Sequence, residues 1–138
     1  MKKQLLIIAA VVVLVMASAF ILTACSPASD PADAKAALEK KGYTVVVDGS
    51  IQPAALTLVG IKGVDKVLEA SYSKDDRSEF LCVLYFTSAS AANDAWDAAQ
   101  KEAEDEKKSN KEEDSDWTVG KSGKLIWYGT KNAVKAAR

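Results

Sequence analysis

The 138-residue chain contains no histidine, two cysteines and three prolines, and its aromatic residues make up only 7% of it. Without imidazole there is no Ser-His or Cys-His couple, and the commonest nitrogen ligand of zinc is missing. Cys25 and Cys82 allow at most one disulfide, so a bridged scaffold is excluded and the domain has to stand on an apolar core. A dominant charge is also lacking: 18 basic residues face 19 acidic ones, against the strongly basic balance of a polyanion-binding protein. What the chain has in excess lies at one end, where 19 of the first 24 residues are apolar.

That end reads as a targeting segment. Lys2 and Lys3 give a positive start, Leu5 to Leu22 is an uncharged apolar run, and Thr23 and Ala24 are small residues placed just before Cys25. As a helix the run would reach about 27 Å, close to the hydrocarbon thickness of a bilayer, so its length alone also fits an uncleaved transmembrane anchor. The quartet Leu22-Thr23-Ala24-Cys25 resembles the lipobox of bacterial lipoproteins, matching at all four positions. The resemblance implies a signal peptide over residues 1–24, diacylglycerol on the Cys25 sulfur as the membrane attachment, and a domain on the outer face of the cytoplasmic membrane. Both interpretations keep the positive flank inside and the rest of the chain outside.

Past the signal, residues 25–29 form a short tether of small residues, and 30–138 is a length suited to one core. Ser29 or Asp30 caps a helix with Pro31 in its first turn, the apolar face Ala34, Ala37, Leu38 and a stop at Gly42. Tyr43 to Val47 has strand composition and ends in the turn pair Asp48-Gly49. Residues 53–59 fit a short helix or a strand equally, since Pro53-Ala54-Ala55-Leu56 favours the first and Leu58, Val59 and Ile61 the second. Val64 to Ser73 and Glu79 to Thr87 read as a hairpin joined through Lys74-Asp75-Asp76-Arg77. Its second strand is apolar on both faces and belongs at the centre of a sheet, with Cys82 as a small buried hydrophobe.

Ser88 or Ser90 caps the longest helix, whose inward stripe is Ala92, Ala95, Trp96, Ala99 and Ala103 with Trp96 as the only large anchor. Residues 102–116 carry eight acidic and three basic side chains, the signature of a solvated helix end and loop. Trp117 to Gly120 and Lys124 to Tyr128 form a second hairpin around Lys121-Ser122-Gly123, and Thr130 caps a last helix over residues 131–137. The order α, β, short α, β, β, α, β, β, α predicts an α+β domain. Its sheet is mostly antiparallel, of about four to five strands, with helices chiefly on one face.

Chemistry-bearing motifs are few. Gly120-Lys121-Ser122 imitates the end of a phosphate-binding loop, but Ser115 stands where its first glycine is required, and the segment lies in a hairpin. Asp114 and Asp116 lack the glycine turn and terminal glutamate of an EF-hand. No Gly-x-Ser-x-Gly occurs, and the adjacent pairs Asp75-Asp76 and Glu112-Glu113 are not held across a cleft. No catalytic residue, cofactor or metal site is therefore expected. The mature net charge of −3 argues against nucleic acid as a partner.

The mature sequence also resembles small uncharacterised lipoproteins of Gram-positive bacteria, through Glu39-Lys40-Lys41-Gly42-Tyr43-Thr44-Val45, the strand end Tyr85-Phe86, and Tyr128-Gly129-Thr130-Lys131-Asn132-Ala133-Val134-Lys135-Ala136. That resemblance implies an envelope location and no particular activity. The expected function is a lipid-anchored binding or interaction domain that is not an enzyme; an envelope enzyme and an accessory or structural lipoprotein are the alternatives. The expected interaction surface is carboxy-terminal, where Lys121, Lys124, Lys131, Lys135 and Arg138 have no acidic neighbour and stand beside Trp127 and Tyr128. Its partner would be anionic lipid or an envelope protein. Because neighbouring residues of a strand alternate in direction, one of the two aromatics faces outward unless both sheet faces are covered.

Overall fold

Local signals account for most of the elements. In a computed structural model, which describes residues 26–74, 76–110 and 116–138, the Asp30 carboxylate accepts the Ala32 N–H at 2.8 Å and opens helix α1, Pro31–Lys40. Gly42, at φ +91°, turns the chain into strand β1, Thr44–Asp48. The next segment is helical: α2 spans Ile51–Leu58, and its serine at the cap position makes no side-chain cap bond. Asp48 takes that role from the end of β1, accepting from Ser50 N at 2.9 Å and Gln52 N at 2.8 Å. Strands β2, Val64–Lys74, and β3, Arg77–Phe86, make a hairpin tighter than the sequence predicts, with Lys74 and Arg77 already paired. Helix α3, Ala89–Asn110, begins where the Ser88 hydroxyl accepts from Ala91 N at 3.1 Å. Strands β4, Trp117–Ser122, and β5, Leu125–Thr130, turn through Gly123-Lys124, and helix α4, Lys131–Ala136, follows directly. Leu22, Thr23, Ala24 and Cys25 lie outside the described residues, as do Asp75, Glu112, Glu113, Asp114 and Ser115.

The architecture is α+β, with a five-stranded antiparallel sheet in the order β1-β2-β3-β5-β4. β3 is central, and Leu81 through Phe86 are all buried. The helices do not gather chiefly on one face as expected. On one face α1 and α4 pack through Ala34, Leu38, Ala133 and Val134 against Leu68, Leu81, Val83, Tyr85 and Trp127. On the other, α2 and α3 cover Val67, Cys82, Leu84, Phe86, Ile126 and Tyr128. A sheet whose central strands are apolar on both sides needs this double cover, because one bare face would leave large side chains in water.

Trp96 is also not the anchor of α3. The buried stripe consists of Ala92, Ala95, Ala99 and Ala103, while Trp96 is only partly buried at its flank. The large side chains come from the strands, and the alanines let α3 lie close over them. On the opposite face Trp127 lies across Gly120, its cross-strand partner; a Cβ on Gly120 would stand 2.4 Å from Trp127 Cζ2. The start of the described chain is fastened as well. Pro27 is buried, the Ala28 N–H donates to Ala137 O at 2.8 Å, and Tyr85 Oη donates to Ala28 O at 3.2 Å. Residues 27 and 28, expected in the tether, therefore belong to the packed domain. Among the described residues no helix is long and apolar enough to cross a membrane.

Candidate functional site

Side-chain alternation along β3 places Glu79 in phase with Leu81, Val83 and Tyr85, so a carboxylate points toward the α1 and α4 face, where it is only 6% exposed. A buried charge is tolerated only when it is hydrogen-bonded. Three donors converge on this one: Thr130 Oγ1 at 2.7 Å, Arg77 Nε at 3.0 Å and Asn132 Nδ2 at 3.2 Å. Thr130, expected to cap α4, spends its hydroxyl here, and α4 begins without a side-chain cap. The carboxylate thereby ties the start of β3 to the junction of β5 with α4.

Arg77 is held from two directions, by Glu79 and by Tyr72, whose ring centroid lies 5.1 Å from the guanidinium carbon. The carboxylate bonds hold the guanidinium above its already high ordinary pKa. With Nε engaged, the outer edge of the fork still carries donors, and just over half of the side chain is exposed. Tyr43 packs beside Tyr72, with ring centroids 5.3 Å apart. Its hydroxyl is buried, and the neighbour that acts on it as a hydrogen-bond donor is the Arg77 guanidinium. Burial first, and then the Glu79 carboxylate, raise the Tyr43 phenol above its ordinary value, with Arg77 opposing them.

Above these rings opens a cleft of about 310 Å³, lined by Lys41, Tyr43, Tyr72, Arg77, Asn132, Lys135 and Ala136. Lys41 Nζ reaches the Ala136 carbonyl at a marginal 3.5 Å. Three cationic side chains thus converge over an aromatic floor, with one carboxylate beneath them. Fixed polar groups around a concave site are what orient a small ligand.

Two other recesses are chemically different. One of about 330 Å³ lies between α2 and α3, with Leu56, Val59, Val67, Cys82 and Tyr128 beside Glu69, Glu102 and Glu106. Burial pushes the Cys82 thiol and the Tyr128 phenol well above their ordinary values, so neither supplies an anion near neutrality. The other, about 450 Å³, is lined chiefly by Gly60, Gly63, Ala91 and Ala95, with Lys62 and Asp94 as its only charged groups. Neither gathers fixed donors as the first cleft does.

Of the predicted interaction residues, only Lys135 reaches that cleft. Lys131 is exposed at the start of α4, Lys124 occupies the β4–β5 turn, and Arg138 ends the chain. Lys121 is on the opposite face, bonded to Asn93 and 5.7 Å from the Trp96 ring centroid. Trp127 and Tyr128 are 2% and 3% exposed, so they leave the proposed surface: both sheet faces are covered, and each aromatic is buried on its own side. Sequence reasoning missed Lys41, Tyr43, Tyr72, Arg77, Glu79 and Asn132. A glutamate in phase with the buried Leu81 and Val83 was the available signal. A scan against family models, a search of curated proteins and a search of solved structures each return no match.

Proposed function

We propose that this chain is a lipid-anchored binding domain on the outer face of a bacterial cytoplasmic membrane, with the cleft between α1, α4 and the β2–β3 hairpin as its ligand site. The observation that carries the binding role is the convergence of fixed polar side chains on that cleft. None of its described residues is arranged as a nucleophile with a base, and Glu79 already accepts from three donors. The lipobox Leu22-Thr23-Ala24-Cys25 supports the anchor. The fastening of Pro27 and Ala28 adds to this, because it leaves only Ser26 between Cys25 and the packed domain and holds that domain at the membrane surface.

The anchor is tested by labelling cells with fatty acid and comparing the chain with Cys25→Ser. Label and membrane retention are expected in the first, and unlabelled, uncleaved precursor in the second; label persisting in the variant would overturn the anchor. The binding role is tested by titrating the isotope-labelled full chain, in neutral detergent, with small neutral, cationic and anionic molecules while recording NMR spectra. Saturable shifts at Tyr72, Asn132 and Lys135 are expected, with the added molecule unchanged. Shifts clustered elsewhere would remove the cleft as the site, and turnover of an added molecule would make the protein an enzyme.

A further inference from the structure

We infer that the cleft seats a single oxyanion group, a carboxylate or a phosphate, between the outer edge of Arg77 and the ammonium groups of Lys135 and Lys41. The inference rests on the proposed reading only in taking this cleft as the binding site, and it is independent of the anchor.

Its first support is the way Arg77 is presented. The Glu79 carboxylate takes Nε and the Tyr72 ring supports the face of the guanidinium, so its remaining donors project with their orientation already set. A preoriented guanidinium edge matches the paired oxygens of a carboxylate or phosphate, a geometry that a freely rotating lysine cannot provide. The second is charge. Arg77, Lys41 and Lys135 exceed the one carboxylate at this place, and Glu79 is turned into the protein with its oxygens occupied, so it does not compete at the mouth. The third is the wall behind Arg77: Tyr43, 6% exposed, packs on Tyr72 and lies close enough to Arg77 for the two side chains to interact, so guanidinium and rings form one fixed unit. A cationic ligand would meet three like charges there. The volume of about 310 Å³ is at the small end of ligand sites, suited to a charged end group rather than to a large apolar body.

The test uses the full chain in neutral detergent at constant ionic strength. Inorganic phosphate and acetate are titrated against chloride, and the Asn132 side-chain amide and Arg77 Nε–H resonances are followed by NMR. Saturable shifts with phosphate or acetate, absent with chloride, are expected. Lys135→Gln changes an exposed side chain that the fold does not use, and should weaken binding about tenfold, the loss of one charge-assisted contact. Lys124→Gln, in the β4–β5 turn, should leave binding unchanged. Arg77→Lys keeps the charge and loses the fork; a weakening there as well confirms that orientation matters, and full retention would reduce the site to nonspecific charge and overturn the inference.

A parallel arm with vesicles containing anionic lipid identifies the source. Lys135-dependent shifts with vesicles but not with free anions assign the oxyanion to a headgroup, and the reverse assigns it to a soluble ligand. Equal response to chloride, or shifts indifferent to Lys135→Gln, would overturn the inference. Should neutral molecules shift Tyr72 and Asn132 while phosphate, acetate and vesicles do not, the cleft would stand as a binding site and only its assignment to oxyanions would fall.

Discussion

Glu79 shows how one side chain can serve both fold and site. Its carboxylate fastens Thr130 and Asn132 at the β5–α4 junction and orients Arg77 at the cleft mouth. Glu79→Ala leaves those donors without their acceptor and should cost about 2 to 3 kcal/mol in urea unfolding followed by tryptophan fluorescence. Glu79→Gln, which retains an acceptor oxygen, should cost less. Equal stability of the alanine variant would show that the network does not support the fold. Gly120 is constrained by a neighbour: Trp127 fills the space that any Cβ would need. Gly120→Ala should destabilise the protein by about 1 to 3 kcal/mol and shift the Trp127 emission as the indole is displaced. An unchanged spectrum with unchanged stability would mean that β4 can move away at little cost.

Among the elements, α2 owes least to burial. None of its residues is fully buried, and Ile51 and Leu58 are 77% and 88% exposed. Its start depends on Asp48, whose bonds from Gln52 N and Ser50 N lower its pKa below the ordinary 3.8. A carboxyl with a depressed folded pKa adds stability above its unfolded value and loses it as pH falls through the folded value. Asp48→Asn should therefore lower the thermal midpoint at pH 7, and the difference should fade as both proteins are titrated from about pH 5 to below that depressed value. A gap that persists in full at the acid end would mean that the charge is not what holds α2. The composition of residues 53–59 suits either helix or strand, and Asp48, which lies outside that window, supplies the cap. The α3 stripe teaches a related point: its alanines were readable from their spacing, but Trp96 falls at the edge of the buried arc, and only the packing shows that the strands provide the bulk.

For the whole molecule, the decisive feature is the doubly covered sheet. Leu84 on β3 is completely buried under α2 and α3, while Val83 beside it is buried under α1 and α4. Leu84→Ala should cost about 2 to 5 kcal/mol through lost burial and a residual cavity. A loss under about 0.5 kcal/mol in denaturant unfolding would contradict the central position of β3. The same cover gives the domain two unlike faces, a cationic cleft beside α1 and α4 and a carboxylate-rimmed recess between α2 and α3. A net charge of −1 for the whole chain conceals this separation.

The secondary structure was legible because it is locally encoded. Asp30 with Pro31 starts α1, Gly42 ends it, Ser88 starts α3, and the unbroken apolar run of β3 announces burial on both sides. The α+β class and the antiparallel sheet followed from the order of those signals. The site was not legible in this way. Lys41, Tyr72 with Arg77, and Asn132 with Lys135 come from three distant stretches of the chain, and they meet only because β2 pairs with β3, β3 with β5, and α4 folds back from β5 toward α1. The carboxy-terminal run of positive charge forms one surface only if neighbours in sequence are neighbours in space, and here they are not. Residues along a strand alternate sides, and a chain that passes from β4 to β5 to α4 sends Lys121 to one face of the sheet and Lys135 to the other. Caps, turns and periodicity act over a few residues and can be read in order, whereas strand pairing and the covering of each face are long-range choices, and those choices brought the cleft together.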